Sequence, residues 1–355
     1  MKLRLLAAAA ALPLLFAGPA AAEDPVPSAK DYPAPPAGWK VPRTAWGDPD
    51  LRGMWPVDYL AATPRERPPE IGTRTEWTEQ EYKERFGQAE QRAGLEAAQD
   101  KIGILGMGHW REDGFPLWQT SMITQPANGR YPALTDEGRR AAASVKNSWN
   151  TEVFDKITDF GAWDRCLSRG LPGSMLTGAY NMGLRVMQSP GLVVIGIEMV
   201  HETRRIYLDG RPAPPPEVTD YLGYSRGHWE GDTLVIETTN FTPGISNGPS
   251  PNSAQMKVVE RLTPMGPDQI RYEAWIEDPV MLTAPYKIDI PWRRNPNYEF
   301  YEYACHEGNV QIRGYSTATS PRFTELREDQ WAQQGEETTP AAAGPGGAGV
   351  VSSPC

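Results

Sequence analysis

The chain is poor in histidine and cysteine, with four of one and three of the other in 355 residues. No HxH, helical HExxH or paired CxxC spacing occurs, so the local motifs imply no metal and no other cofactor. Basic residues are also in deficit. Lys plus Arg number 35 against 45 Asp plus Glu, a net charge of −10. That disfavours nucleic acid, which asks for a basic face. Long apolar runs are missing too. The longest, LLAAAAALPLLFAG at 5–18, is broken by Pro13 and is shorter than the roughly 20 apolar residues of a membrane span. No GxGxxG follows a strand pattern and no Walker loop is present, which excludes the two common nucleotide fingerprints.

What is present points outward from the cytoplasm. Lys2 and Arg4 precede the apolar run, and small residues precede Glu23. This is the pattern of a secretory signal over 1–22, cleaved after Ala22, and it predicts a periplasmic or secreted protein. In an oxidising compartment paired cysteines close. Cys166 and Cys305 lie in strongly patterned segments, whereas Cys355 ends a Gly- and Ala-rich tail. A Cys166–Cys305 disulfide is expected.

Proline (35) and glycine (34) are abundant, which argues for loops and short strands. Residues 23–75 read as a Pro-rich extended arm. Residues 76–159 read as a helical and looped cover. Its first helix runs from Glu79 to Asp100, with Thr78 and Glu81 spaced as a capping box, and Thr135 caps a second helix. From 160 to 325 the period becomes that of strands. The runs 191–210, 227–241, 254–279 and 298–316 carry turn signals at Asp209-Gly210, Gly231-Asp232, Met265–Asp268 and Gly308-Asn309. Consecutive hairpins without intervening helices predict an antiparallel meander closing into a lipocalin-like barrel. Residues 333–355 have the composition of a disordered tail.

Polar side chains set in apolar strands nominate a site. Glu198 lies in VVIGIEMVH, costly to bury unless it pairs with an arginine or is used; His201 follows three residues later. Arg165 and Arg169 flank Cys166 in DRCLSRGLPG, where a fixed guanidinium binds a carboxylate or stabilises a phenolate. In YEYACHEGN, strand alternation puts Glu302 and His306 on one face, and a carboxylate there orients the imidazole. His306, Glu198, Arg165, His201 and Glu302 are the catalytic candidates. Arg169, Tyr180, Asn181, Arg226 and Tyr303 are the substrate-binding candidates. Glu198 and Arg165 also have structural readings, as an ion pair with a nearby arginine and as a loop anchor. A two-His-one-carboxylate set of His201, His306 and Glu198 is the one metal arrangement the chain could assemble across strands.

The segments DRCLSRGLPG, SPGLVVIGIEMVHETRRIYLDGRP, LGYSRGHWEGDTLVIETTNF, VVERLT and EYACHEGN together resemble a large family of exported bacterial proteins. ITQPANGRYPALTDEGRRAA at 123–142 looks like that family's upstream motif. The resemblance implies a link to secreted enzymes that cleave the β-aryl ether bond of lignin-type phenolics. The expected function is therefore an exported enzyme acting on a small amphipathic aromatic by general acid–base chemistry, without a redox cofactor. A periplasmic carrier of hydrophobic molecules and a metal-dependent hydrolase are the alternatives.

Overall fold

Alternation of inward and outward side chains builds the main body. In β4, Leu192–Ile197, every second residue is buried, and β8, Lys257–Gly266, repeats the pattern. The structure is a computed structural model, and it describes residues 25–103, 114–146, 153–176, 180–245 and 248–319. The expected signal segment and the tail lie outside those residues.

Ten strands form one curled sheet, a half-barrel. Its members are β1 (Gly53–Met54), β2 (Ile123–Gln125), β3 (Leu184–Ser189), β4, β5 (Thr203–Tyr207), β6 (Tyr224–Glu230), β7 (Thr233–Thr239), β8, β9 (Gln269–Glu277) and β10 (Tyr286–Arg293). The order is β1-β3-β4-β5-β6-β7-β8-β9-β10-β2. Consecutive strands pair antiparallel, as hairpin turns at Gly231-Asp232 and Pro267-Asp268 require. One pair departs from the expected meander: β5 and β6 run parallel, matched at Ile206↔Ser225 and Tyr207↔Arg226. The Pro-rich crossover 208–223 makes that possible. The edge strands β1 and β2 come from the segments read as arm and cover.

Two further expectations are corrected. The run 191–210 is not one strand. It breaks into β4 and β5 at a tight turn through Met199–His201, in which Val200 and His201 adopt φ of 62° and 45°. The segment 298–316 forms no strands. It is irregular through Val310 and then enters helix α3, Gln311–Thr319. Tyrosine alternation suggested β structure there, but no neighbouring strand pairs with it.

The two other helices match the caps. In α1, Glu79–Lys101, the Glu81 amide donates to Thr78 Oγ1 and the Glu81 carboxylate accepts from the Thr78 amide. In α2, Asp136–Ser144, Thr135 Oγ1 accepts from Gly138 N. Gly138 packs on backbone; a Cβ there would lie 2.2 Å from Met281 O.

The inner face carries Val193, Ile195, Ile206, Ile236, Val258, Tyr272 and Ile288, closed by Trp55, Val57 and Leu60 from the arm. Inside it, Arg204 meets Glu260 through two nitrogens at 2.8 and 2.5 Å. Ser225, Thr238 and Tyr272 supply the remaining hydrogen bonds. A buried pair so completely satisfied is stable, and removal of either partner costs about 3–5 kcal/mol. The outer face of β9 and β10 is covered as well. There Arg271 bonds Asp289, Lys287 bonds Glu273, and Tyr32 of the arm donates to Asp289 Oδ1 at 2.9 Å.

Candidate active site

The start of β3, the end of β4 and the start of β5 lie at one end of the sheet, since Leu184 pairs with Ile197 and Gly196 with Thr203. Loops gather there. One is 160–176, whose chain reverses at Cys166 with φ 56°. The second is the turn 198–202. The third is 298–310. The expected disulfide joins the first to the third: Cys166 and Cys305 are bonded, with Cα atoms 5.7 Å apart. Asn309 Nδ2 reinforces the seam by donating to Asp164 O at 2.7 Å.

Several candidates converge at this seam. Tyr180 and Tyr303 stack with ring centroids 6.1 Å apart, and their hydroxyls are 3.5 Å apart. Burial, and then Tyr180, push the Tyr303 hydroxyl well above the ordinary tyrosine range, so it stays a neutral donor. Arg169 Nη1 sits 3.3 Å from Met199 Sδ, and its guanidinium lies 5.7 Å from the Trp163 ring centre. Burial lowers its pKa, with Arg65 adding to the shift; Tyr180, Tyr303 and Glu202 oppose it. His201 and His306 face each other with ring centroids 6.0 Å apart. His201 Nδ1 is 2.9 Å from the Tyr303 carbonyl. A carbonyl only accepts, so Nδ1 is the donor; in the neutral ring that tautomer leaves the lone pair on Nε2.

Other candidates are engaged elsewhere. Glu198 is buried, and its two oxygens accept from Asn181 Nδ2 and the Tyr298 hydroxyl, each at 2.6 Å. Asn181 is therefore held by a carboxylate. Gly183 leaves room for this cluster, because a Cβ there would come within 2.4 Å of Glu198 Oε2. Arg165 is partly exposed and turns back on its own loop, Nε to Gly161 O at 3.4 Å. Glu302 is exposed, and the strand that was to align it with His306 does not form. Arg226 lies in β6, where it faces Glu237 of β7 at 3.8 Å.

Sequence reading missed Glu202. Its carboxylate accepts from Ser174 Oγ at 3.0 Å and is within reach of the Ser168 hydroxyl and the Arg169 amide. Burial nevertheless raises its pKa, outweighing those bonds. Glu202 thus fastens the Arg169 loop to the turn that carries His201. Its partners lie about thirty residues upstream, so no local spacing could have marked it. No family model, curated protein or solved structure matches the chain.

Proposed function

We propose that the protein is an exported enzyme that takes a small amphipathic aromatic at this mouth and cleaves a β-aryl ether without a redox cofactor. One observation carries the reading. His201 touches the backbone of Tyr303, Tyr303 stacks with Tyr180, and the Arg169 guanidinium lies against Met199 in the turn that carries His201, all at the seam of these loops. Aromatic walls with a few polar groups suit a phenolic ligand. The expected signal segment and the Cys166–Cys305 bridge support export, and the resemblance of the motifs supports the substrate class.

The chemistry needs no outside electrons. His201 Nε2 takes the proton of the substrate hydroxyl next to the ether carbon. The alkoxide oxygen forms a new bond to that carbon, closing an epoxide. The carbon–aryloxide bond breaks, and its electron pair leaves on the aryloxide. Arg169 stabilises that charge and Tyr303, kept neutral, donates to it. General-base help is worth roughly 10²–10⁴-fold. Glu198 and Arg165 support the scaffold rather than the reaction in this reading.

The test is incubation of the purified mature chain with an aryl-ether model compound, following phenol release. His201→Ala is expected to lower the rate at least about 10²-fold. Arg169→Ala is expected to lower it about 10²–10³-fold, as for loss of one oxyanion donor. Tight binding of the compound with no phenol released would favour the carrier reading. The engagement of Glu198 by Asn181 and Tyr298 is the observation on its side, since it removes one expected base.

A further inference from the structure

Among the described residues no group of three or more His, Cys, Asp or Glu side chains converges on one point. The three-ligand set of His201, His306 and Glu198 is therefore not assembled. The two histidines alone, however, lie close enough to share an ion, with their rings tilted by 53°. With a metal–nitrogen bond of about 2.1 Å, each ring centre lies about 3.2 Å from the ion, so two imidazoles sharing it have centres no more than about 6.4 Å apart. Those of His201 and His306 are 6.0 Å apart.

Three further features agree. First, metal-ligating histidines typically donate their second ring N–H to a carbonyl or carboxylate. The Nδ1 of His201 meets Tyr303 O in that way, at 2.9 Å. Second, the turn that presents His201 is strained. Val200 and His201 have φ of 62° and 45°, and a β-branched residue in the left-handed region is a genuine outlier. Such strain collects at functional sites. Third, His306 follows Cys305, so the bridge to Cys166 fixes its backbone.

We infer that His201 and His306 form a two-imidazole site for a divalent ion of the copper or zinc type, with water completing the coordination. Imidazole ligands select such ions, and affinity peaks at copper. Both rings are exposed, so an ion reaches them without opening the fold. Binding does not depend on turnover. If His201 is also the base of the proposed reaction, a bound ion withholds its Nε2 and inhibits.

The experiment is calorimetric titration of the untagged mature chain with zinc chloride and with copper sulfate. Electron paramagnetic resonance of the copper form accompanies it. One equivalent is expected, with nitrogen couplings from two imidazoles. His201→Ala and His306→Ala should each weaken it at least about 100-fold, matching or exceeding the loss of an outer-shell partner. His228→Ala, on the exposed face of β6, should leave it unchanged. Non-reducing mass analysis checks that the variants keep the bridge. No stoichiometric binding, binding indifferent to both substitutions, or coupling to a single nitrogen would each overturn the inference. Zinc binding without any phenol release would leave this site standing and remove the proposed function.

Discussion

Glu198 is the residue whose role the structure changes most. A carboxylate in an apolar run asks for a partner, and here it has two, Asn181 and Tyr298, bridging the approach to β3 with the segment after β10. Glu198→Ala removes the carboxylate that two half-buried donors share, which costs about 1–3 kcal/mol. A urea denaturation series should show that loss while phenol release by the folded fraction persists. Near-wild-type stability with abolished release would return Glu198 to the chemistry. The sequence marked Glu198 correctly as a buried anomaly. It could not say which donors would meet it, since Tyr298 lies 100 residues downstream.

At the level of elements, legibility followed the range of the deciding contact. The α1 cap is settled within four residues, and it formed as read. Glu81 there also pairs with Arg74, and these bonds hold its carboxyl at about 2, below the ordinary 4.5. A depressed folded pKa gives stability that is present above 4.5 and lost as pH falls towards 2. Glu81→Gln should therefore lower the thermal midpoint near neutral pH, and the gap from wild type should close on acidification. A gap constant with pH would separate the effect from the carboxylate's charge. Hairpins β6–β7 and β8–β9 were legible for the same reason as the cap, because two or three turn residues set them. The turn at 198–202 was not. Its apolar residues read as unbroken strand, and left-handed φ at Val200 has no signature in a β-branched side chain. The segment 298–310 misled in the other direction. Its aromatic alternation favours β structure, but strands need partners, and the bridge to Cys166 decides its course instead.

For the whole molecule, the half-barrel was foreseeable from several strand runs joined by short turns. Its parallel β5–β6 step and the contribution of β1 and β2 were not, because pairing between distant segments leaves no local trace. The bridge closes across 139 positions. Replacing Cys166 and Cys305 together by Ser should cost about 2–5 kcal/mol, and it should loosen the mouth before the sheet. Hydrogen exchange is the measurement. Protection should fall in 160–176 and 298–310 and hold in β7–β9. Uniform loss would mean that the bridge supports the sheet itself. Of the three cysteines, only one should react with an alkylating reagent in the denatured, non-reduced chain. The same connection ties chemistry to geography. Both lips of the mouth come from segments that meet only after most of the chain has emerged, and the bond joining them needs an oxidising milieu. A copy held among reducing thiols would form the half-barrel without the covalent link between these two loops, and the seam at that end of the sheet would stay unfastened.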